Sequence, residues 1–123
     1  MKTVLIIEDN PDNTVLICRL LEKAGYRMLQ AATGREGFEL AVQKKPDFIL
    51  LDIQLPDMSG IDVLKKIREQ ETESHIPIIA VTSYAMAGDR EKLLAAGCNG
   101  YIEKPIDPGR VIAQIKRIIG ETL

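Results

Sequence analysis

Five short apolar runs alternate with five segments of helical spacing along this chain, and this alternation limits the possible folds more than any other feature. The apolar runs are Val4–Ile7, Met28–Ala31, Phe48–Leu51, Ile78–Val81 and Tyr101–Ile102. The first, third and fourth runs are almost continuously apolar, which is typical of strands buried on both faces of a parallel sheet.

The segments between these runs carry apolar or small residues three or four positions apart, the spacing of one helix face. These positions are Thr14, Ile17, Cys18 and Leu21; Gly37, Leu40 and Ala41; Leu64 and Ile67; Arg90, Leu93, Leu94 and Gly97; and Ile112, Ile115 and Ile119. Alternating strands and helices predict an α/β protein with helices on both faces of a parallel sheet. We therefore predict one domain over residues 1–123, a (βα)5 doubly wound sheet of flavodoxin-like order 2-1-3-4-5.

Capping residues mark several of the predicted helix ends. Asn10-Pro11 and Asp107-Pro108 each place a capping side chain before a proline at the first helical position. Ser59 and Asp62 have the spacing of a capping box. Gly25 and Gly97 suit the left-handed position that ends a helix.

Composition excludes several function classes. The formal net charge of −2 offers no basic excess for binding nucleic acid directly. No apolar run approaches the roughly 18 residues that span a bilayer. Cys18 and Cys98 have neither metal-binding nor redox-motif spacing, which favours a reduced, cytoplasmic protein with free thiols.

Charged and hydroxyl side chains follow four of the predicted strands. Glu8-Asp9 ends the first strand, Asp52 the third, Thr82-Ser83 the fourth and Lys104 the fifth. Ligands of such sheets bind at the carboxyl ends of the strands, beside the point where the strand order reverses. We therefore expect these side chains to converge on one pocket.

The expected pocket has the chemistry of phosphoryl transfer. Three crowded carboxylates require either a bound proton or a cation, and hard oxygen ligands suit Mg²⁺, with Mn²⁺ as an alternative. A carboxylate beside a metal ion, a lysine and a hydroxyl is arranged as a nucleophile toward phosphorus. Backbone N–H groups after Asp52 and Thr82, at Ile53 and Ser83, would add hydrogen bonds to the phosphoryl oxygens.

The chain resembles the receiver domains of bacterial two-component systems. The matching stretches are Ile6–Asn10, Leu50–Gly60, Ala80–Ser83 and Lys104-Pro105, which span the chain in the order and spacing of that family. The run at 83–90 looks most like stand-alone receivers of the DivK type and receivers of hybrid histidine kinases.

The resemblance assigns a role to each matching residue. Asp52 matches the phosphoacceptor, and Glu8, Asp9, Asp52 and the Gln54 carbonyl match the metal site. Thr82 and Lys104 match the hydroxyl and the lysine that pair with the phosphate, and Tyr101 matches the aromatic switch residue. The Lys104–Pro105 peptide is expected to be cis, and Gln54 and Tyr84 occupy positions that tune dephosphorylation.

The resemblance implies a phosphoacceptor switch rather than a turnover enzyme. Asp52 would take a phosphoryl group from a sensor histidine kinase or a histidine phosphotransfer protein, docked near Pro11–Val15 of helix 1. The surface of helix 4, strand 5 and helix 5 would then change toward a downstream protein, with the chain a monomer or a phosphorylation-dependent dimer.

Other classes with this architecture fit less well, and one alternative stays open. A haloacid-dehalogenase phosphatase resembles DxDxT after strand 1, where this chain has Glu8-Asp9-Asn10-Pro11, and a flavodoxin needs a phosphate loop that is missing here. Within the receiver class, the chain is either a free-standing regulator or a receiver excised from a larger kinase or regulator. Met1, three residues before strand 1, favours the first.

Overall fold

A computed structural model describes residues 2–71, 75–83 and 87–120. Its strands are β1 (Thr3–Ile7), β2 (Arg27–Ala31), β3 (Phe48–Asp52), β4 (Ile78–Thr82) and β5 (Gly100–Glu103). Its helices are α1 (Pro11–Lys23), α2 (Gly34–Lys44), α3 (Gly60–Gln70), α4 (Ala87–Ala96) and α5 (Val111–Ile119). All pairings are parallel and the order is β2-β1-β3-β4-β5, so the predicted doubly wound sheet is confirmed.

The sheet separates two apolar layers, which explains why its central strands are apolar throughout. Along β1, Leu5 and Ile7 face the layer that contains residues of α2, α3 and α4. Val4 and Ile6 alternate with them and face the layer that contains residues of α1 and α5. Since helices cover both faces, neither set of alternating side chains reaches water.

Helix ends follow the sequence predictions except at α3 and α5. Ser59 precedes α3, but its side chain accepts the N–H of Ile61 rather than that of Asp62, so the predicted capping-box pattern is not formed. The Asn10 side chain caps α1 by accepting the N–H groups of Asp12 and Asn13, and Gly25 and Gly97 have positive φ angles. The predicted start of α5 at Pro108 is wrong, because residues 108–110 form a turn and the helix begins at Val111. Asp107 causes this turn: its Oδ1 accepts the Gly109 N–H at 2.9 Å.

The predicted apolar face of α4 is narrower than its sequence spacing suggests. Leu93 is buried, whereas Leu94 is 54% exposed. Adjacent residues point about 100° apart on a helix, so a helix that packs along a narrow stripe buries only one of the two leucines.

Arg68 ties the C-terminal end of α3 to the segments that enter β4 and β5. Its guanidinium donates to the carbonyls of Gly97 and Ile76 and to the side chain of Asn99, and it pairs with Glu71 at 2.6 Å. We expect Arg68→Met to lower the free energy of unfolding by about 3 kcal/mol, because it leaves several part-buried acceptors unpaired. Urea unfolding monitored by circular dichroism measures this loss.

The matched control for this prediction is Arg110→Met. Arg110 lies on the surface with a side chain that is 81% exposed, next to Asp107. An exposed ion pair contributes about 0–1 kcal/mol, so this variant should unfold almost as the wild type does. Equal losses for the two variants would show that the Arg68 hydrogen bonds contribute little to stability.

Candidate functional site

Three carboxylates meet where β1 and β3 end, beside the point at which the strand order reverses. Oxygen atoms of Glu8, Asp9 and Asp52 all lie within 4.8 Å of one another. Glu8 and Asp52 are buried, whereas Asp9 is exposed. The convergence expected from the strand ends is therefore present in the structure.

Lys104 supplies the positive charge that faces these acids. Its Nζ lies 3.0 Å from Oδ2 of Asp52 and 3.5 Å from Oε1 of Glu8. Burial alone would lower the pKa of Lys104, but the hydrogen bond to Asp52 and the two carboxylates raise it above its ordinary value. Lys104 is therefore a permanent cation next to Asp52 at neutral pH.

Glu8 is the carboxyl group most strongly affected by its surroundings. Burial, followed by a hydrogen bond with Asp52, raises the pKa of Glu8 to about 7. Asn13 acts in the opposite direction, since its Nδ2 donates to Oε1 of Glu8 at 2.8 Å. The sequence analysis did not assign a role to Asn13. Its place in the first turn of α1, just after a strand that ends in acids, is the sequence feature from which this contact could have been predicted.

The backbone amides after Asp52 differ from the sequence expectation. The N–H of Ile53, expected to bind phosphoryl oxygens, instead donates to the carbonyl of Val81 at 3.1 Å. The N–H of Gln54 donates to Oδ1 of Asp52 at 2.9 Å. Parallel pairing with β4 already uses the Ile53 donor in this structure, and Gln54 presents the amide nearest the carboxylate. The phosphate-binding role expected of Ile53 stays a prediction.

Asp57 anchors the loop that follows β3, a role that the motif did not reveal. Its carboxylate accepts the N–H groups of Gly34 and Arg35, at 2.8 and 3.0 Å, at the start of α2. These hydrogen bonds, that from Gly34 first, lower the pKa of Asp57. The loop that carries Gln54 is thus tied to a second helix.

The remaining predicted residues lie at the ends of β4 and β5. Thr82 is buried and Ser83 is exposed, and Ser83 lines a surface groove together with Lys104 and Pro105. The peptide between Lys104 and Pro105 is cis. Tyr101 is half-buried and pairs with Ala80, two residues before Thr82 on β4. Tyr84, proposed to tune dephosphorylation, lies outside the described residues.

The acidic cluster fits a divalent metal ion. Oε2 of Glu8 is buried and has no hydrogen-bond partner among the described residues. Carboxylate oxygens are the ligands that Mg²⁺ prefers, and Asp9 leaves one side of the cluster open to water. A bound cation would satisfy the unpaired oxygen of Glu8 and reduce the repulsion among the acids.

Metal affinity should therefore depend on pH through Glu8. Between about pH 4.5 and about 7, the folded protein holds a proton on Glu8 that the unfolded chain releases, so the metal-free protein loses stability as the pH rises through this range. The same proton competes with Mg²⁺. Because Glu8, with a pKa of about 7, is mostly protonated at pH 6 and mostly ionised at pH 8, we expect the Mg²⁺ affinity to be about tenfold weaker at pH 6 than at pH 8. Titration calorimetry at the two values measures the ratio.

Glu8→Gln is the control for the pH measurement. The amide does not titrate, so this variant should bind Mg²⁺ more weakly but with little change between the two pH values. An unchanged wild-type affinity, or a variant with the same pH dependence as the wild type, would assign the titration to another group.

The chain is a doubly wound α/β domain with an acidic, lysine-bearing pocket where its strand order reverses. The sequence profile of the response regulator receiver domain matches residues 4–116. The polar-differentiation response regulator DivK of Brucella ovis is 45% identical over 120 residues, covering 98% of each chain. The DivK protein of Brucella anthropi is 44% identical, with the same coverage.

Solved structures agree in both fold and length. The chemotaxis protein CheY4 of Vibrio cholerae superposes with a TM-score of 0.90 and 28% identity, covering 96% of this chain and 98% of that one. The receiver domain of the sensor histidine kinase PA1611 from Pseudomonas aeruginosa PAO1, which has magnesium coordinated in its active-site cleft, gives a TM-score of 0.86 and 38% identity, covering 98% of each.

This chain belongs to the response regulator receiver domain family and is DivK-like in sequence. It is therefore a component of two-component signalling with a CheY-like fold. No helix among its described residues is both long and apolar enough to cross a membrane.

Proposed function

We propose that this protein is a phosphoacceptor switch in which Asp52 takes a phosphoryl group from a phosphohistidine. The observation that carries the proposal is the environment of Asp52. Its side chain is 3% exposed and lies 3.0 Å from a lysine, in a cluster with Glu8 and Asp9. An aspartate is rarely this buried unless it is paired with a cation, and buried clusters of charged groups of this kind occur mainly at functional sites.

The chemistry is one in-line displacement. An oxygen of Asp52 attacks the phosphorus atom, the bond between phosphorus and the histidine nitrogen breaks, and that nitrogen keeps the electron pair. Lys104 and the Gln54 N–H lie beside the carboxylate, and they would stabilise the negative charge on the transferred oxygens. Mg²⁺, held by Glu8, Asp9, Asp52 and the Gln54 carbonyl, would neutralise further charge when bound; Mn²⁺ would serve in the same way.

The switch would start at Thr82. Its hydroxyl would move toward the phosphoryl group, which Lys104 and the Ser83 N–H would also bind, and Tyr101 would fill the space that Thr82 leaves. This change would alter the surface of α4, β5 and α5 toward a downstream protein, with the chain a monomer or a phosphorylation-dependent dimer. The role is that of a switch with slow loss of phosphate rather than a turnover enzyme.

The donor would dock on α1 beside the pocket. Val15 and Leu16 are adjacent there and are 50% and 36% exposed, so they form a small apolar surface beside the pocket. Leu16 also lines the groove that contains Lys104 and Pro105. A sensor histidine kinase or histidine phosphotransfer protein has to place its phosphohistidine at this opening. The free thiols of Cys18 and Cys98 support a reducing compartment, and we propose the cytoplasm.

Phosphotransfer from protein donors tests the proposed function. We expect at least one of a panel of autophosphorylated histidine kinases and phosphotransfer proteins to pass radiolabelled phosphate to the wild type. Leu16→Asp should slow that transfer by about tenfold or more, because it places a charge in an apolar contact. Its reaction with acetyl phosphate, a small donor that needs no docking surface, should be unchanged.

Two results would contradict the proposal, one for the docking surface on α1 and one for Asp52 as the phosphoacceptor. Equal transfer rates for the wild type and Leu16→Asp would place the donor on another surface. Transfer that persists in Asp52→Asn would show that a different residue accepts the phosphoryl group.

A further inference from the structure

Arg90, in the first half of α4, contacts two side chains of β5. Its Cζ lies 5.1 Å from the centroid of the Tyr101 ring. Its Nη2 lies 4.0 Å from Oε1 of Glu103. Tyr101 and Glu103 are two residues apart on one strand, so both side chains project from the same face of the sheet. One cation on α4 thus faces an aromatic ring and a carboxylate on β5.

These two positions of β5 lie next to the proposed switch hydroxyl. In the pairing of β4 with β5, Tyr101 is opposite Ala80 and Glu103 is opposite Thr82. The Tyr101 ring is half-buried and packs against the apolar layer that also contains Ala80. Arg90 therefore contacts the Tyr101 ring from α4. Thr82 lies on the neighbouring strand, two residues beyond the residue that pairs with Tyr101.

We propose that Arg90 is a positioning residue for Tyr101. Its guanidinium would stabilise the ring position seen here, in which the two groups are in contact, relative to positions in which the ring has moved away. The inference rests on the proposed function, because it gives Arg90 a part in the path from Asp52 to the surface of α4 and β5. A cation–π contact at an exposed site changes the population ratio of two such ring positions by about two- to fivefold. Arg90 would thus hold the unphosphorylated switch closer to its resting state.

The exposure of the contact separates this role from a general stabilising one. The side chains of Arg90 and Glu103 are 50% and 60% exposed. Ion pairs of such exposure contribute little to global stability. Removing the Arg90 guanidinium should therefore leave the unfolding midpoint nearly unchanged while it changes the position of the ring.

The test is NMR of the full chain with labelled tyrosine rings and threonine methyl groups, with Mg²⁺ alone and with Mg²⁺ and beryllium fluoride as a phosphoryl mimic. The Thr82 methyl signal is the main readout, because Thr82 is the residue whose movement the Tyr101 ring accompanies in the proposed switch. In Arg90→Ala without the mimic, we expect the Thr82 and Tyr101 signals to move toward their positions in the mimic-bound wild type. The movement corresponds to a change of about two- to fivefold in the ratio of the two states.

Two further variants keep the test decisive. Arg90→Lys retains a cation and should restore most of the wild-type signals, whereas Lys92→Ala removes another exposed cation of α4 and should change neither signal. If Arg90→Ala moves the Thr82 methyl signal no more than Lys92→Ala does, the proposal is overturned.

Failure of the proposed function would be seen separately. If Asp52 of the wild type takes no phosphoryl group from acetyl phosphate, the phosphoacceptor role fails. Arg90 would still be shown to position Tyr101 by a Thr82 methyl shift in the unmodified protein that Arg90→Lys reverses.

Discussion

We expect Gly60→Ala to lower the free energy of unfolding by about 2–4 kcal/mol and to weaken Mg²⁺ binding. Gly60 opens α3 directly beneath the end of β3. A Cβ atom at this position would lie 2.5 Å from Cα of Ile53 and 2.6 Å from the carbonyl oxygen of Asp52. Both are backbone atoms that cannot rotate away, so the segment carrying Asp52 has to shift. Urea unfolding and calorimetric Mg²⁺ titration measure the two effects.

Gly109→Ala is the matched control for this prediction. A Cβ atom there would meet only Oδ1 of Asp107, at 3.4 Å, an ordinary contact. Its stability should stay within about 0.5 kcal/mol of the wild type, and its Mg²⁺ affinity should not change. A Gly60→Ala protein as stable as Gly109→Ala would mean that the close approach of α3 to β3 is not required.

The second large effect is expected for Lys104→Met in the absence of metal. The side chains of Asp52 and Glu8 are 3% and 8% exposed, and Lys104 is the cation that faces both. Methionine keeps much of the lysine volume but leaves buried acids without their cation, which costs about 3–5 kcal/mol at pH 8. Thermal and urea unfolding at pH 8 measure the loss.

Two conditions should recover part of the stability of Lys104→Met. Lowering the pH below about 7 protonates Glu8, whose pKa is already raised to about 7 in the wild type, and removes one of the repelling charges. Saturating Mg²⁺ replaces the missing positive charge.

Arg35→Met serves as the control for the lysine variant. Arg35 pairs with Glu39 at 3.4 Å, with side chains that are 85% and 54% exposed. We expect a loss below about 1 kcal/mol. If the two variants lose equal stability, the pocket is not the strained cluster of charges that its geometry indicates.

The fold was predictable because both faces of the sheet are covered. Burial on both faces makes β1, β3 and β4 continuously apolar, and this pattern identifies them without knowledge of their partners. The start of α5 was not predictable, because the Asp107 side chain binds the Gly109 N–H in a turn that uses the same residues as a helix cap. The exposure of Leu94 depends on how narrowly α4 packs, which helical spacing alone does not specify.

The charged part of the site was predictable for a different reason. Acids and a lysine directly after buried strands have to meet at the carboxyl edge of a parallel sheet, so Glu8, Asp52 and Lys104 could be placed together from the strand order. Hydrogen bonds made by the backbone were not predictable in this way. The Ile53 N–H belongs to the ladder with β4. The Asn13 side chain turns back from α1 to Glu8, and Asp57 binds the start of α2, which is distant in sequence, so neither contact follows from the strand order.

The most direct test of the central claim is the intact mass of the protein after incubation with acetyl phosphate and Mg²⁺, for the wild type and Asp52→Ala. We expect a single phosphoryl adduct on the wild type, absent without Mg²⁺ and absent from the variant. No adduct on a wild-type protein that binds Mg²⁺ normally, or an adduct that persists in Asp52→Ala, would contradict it.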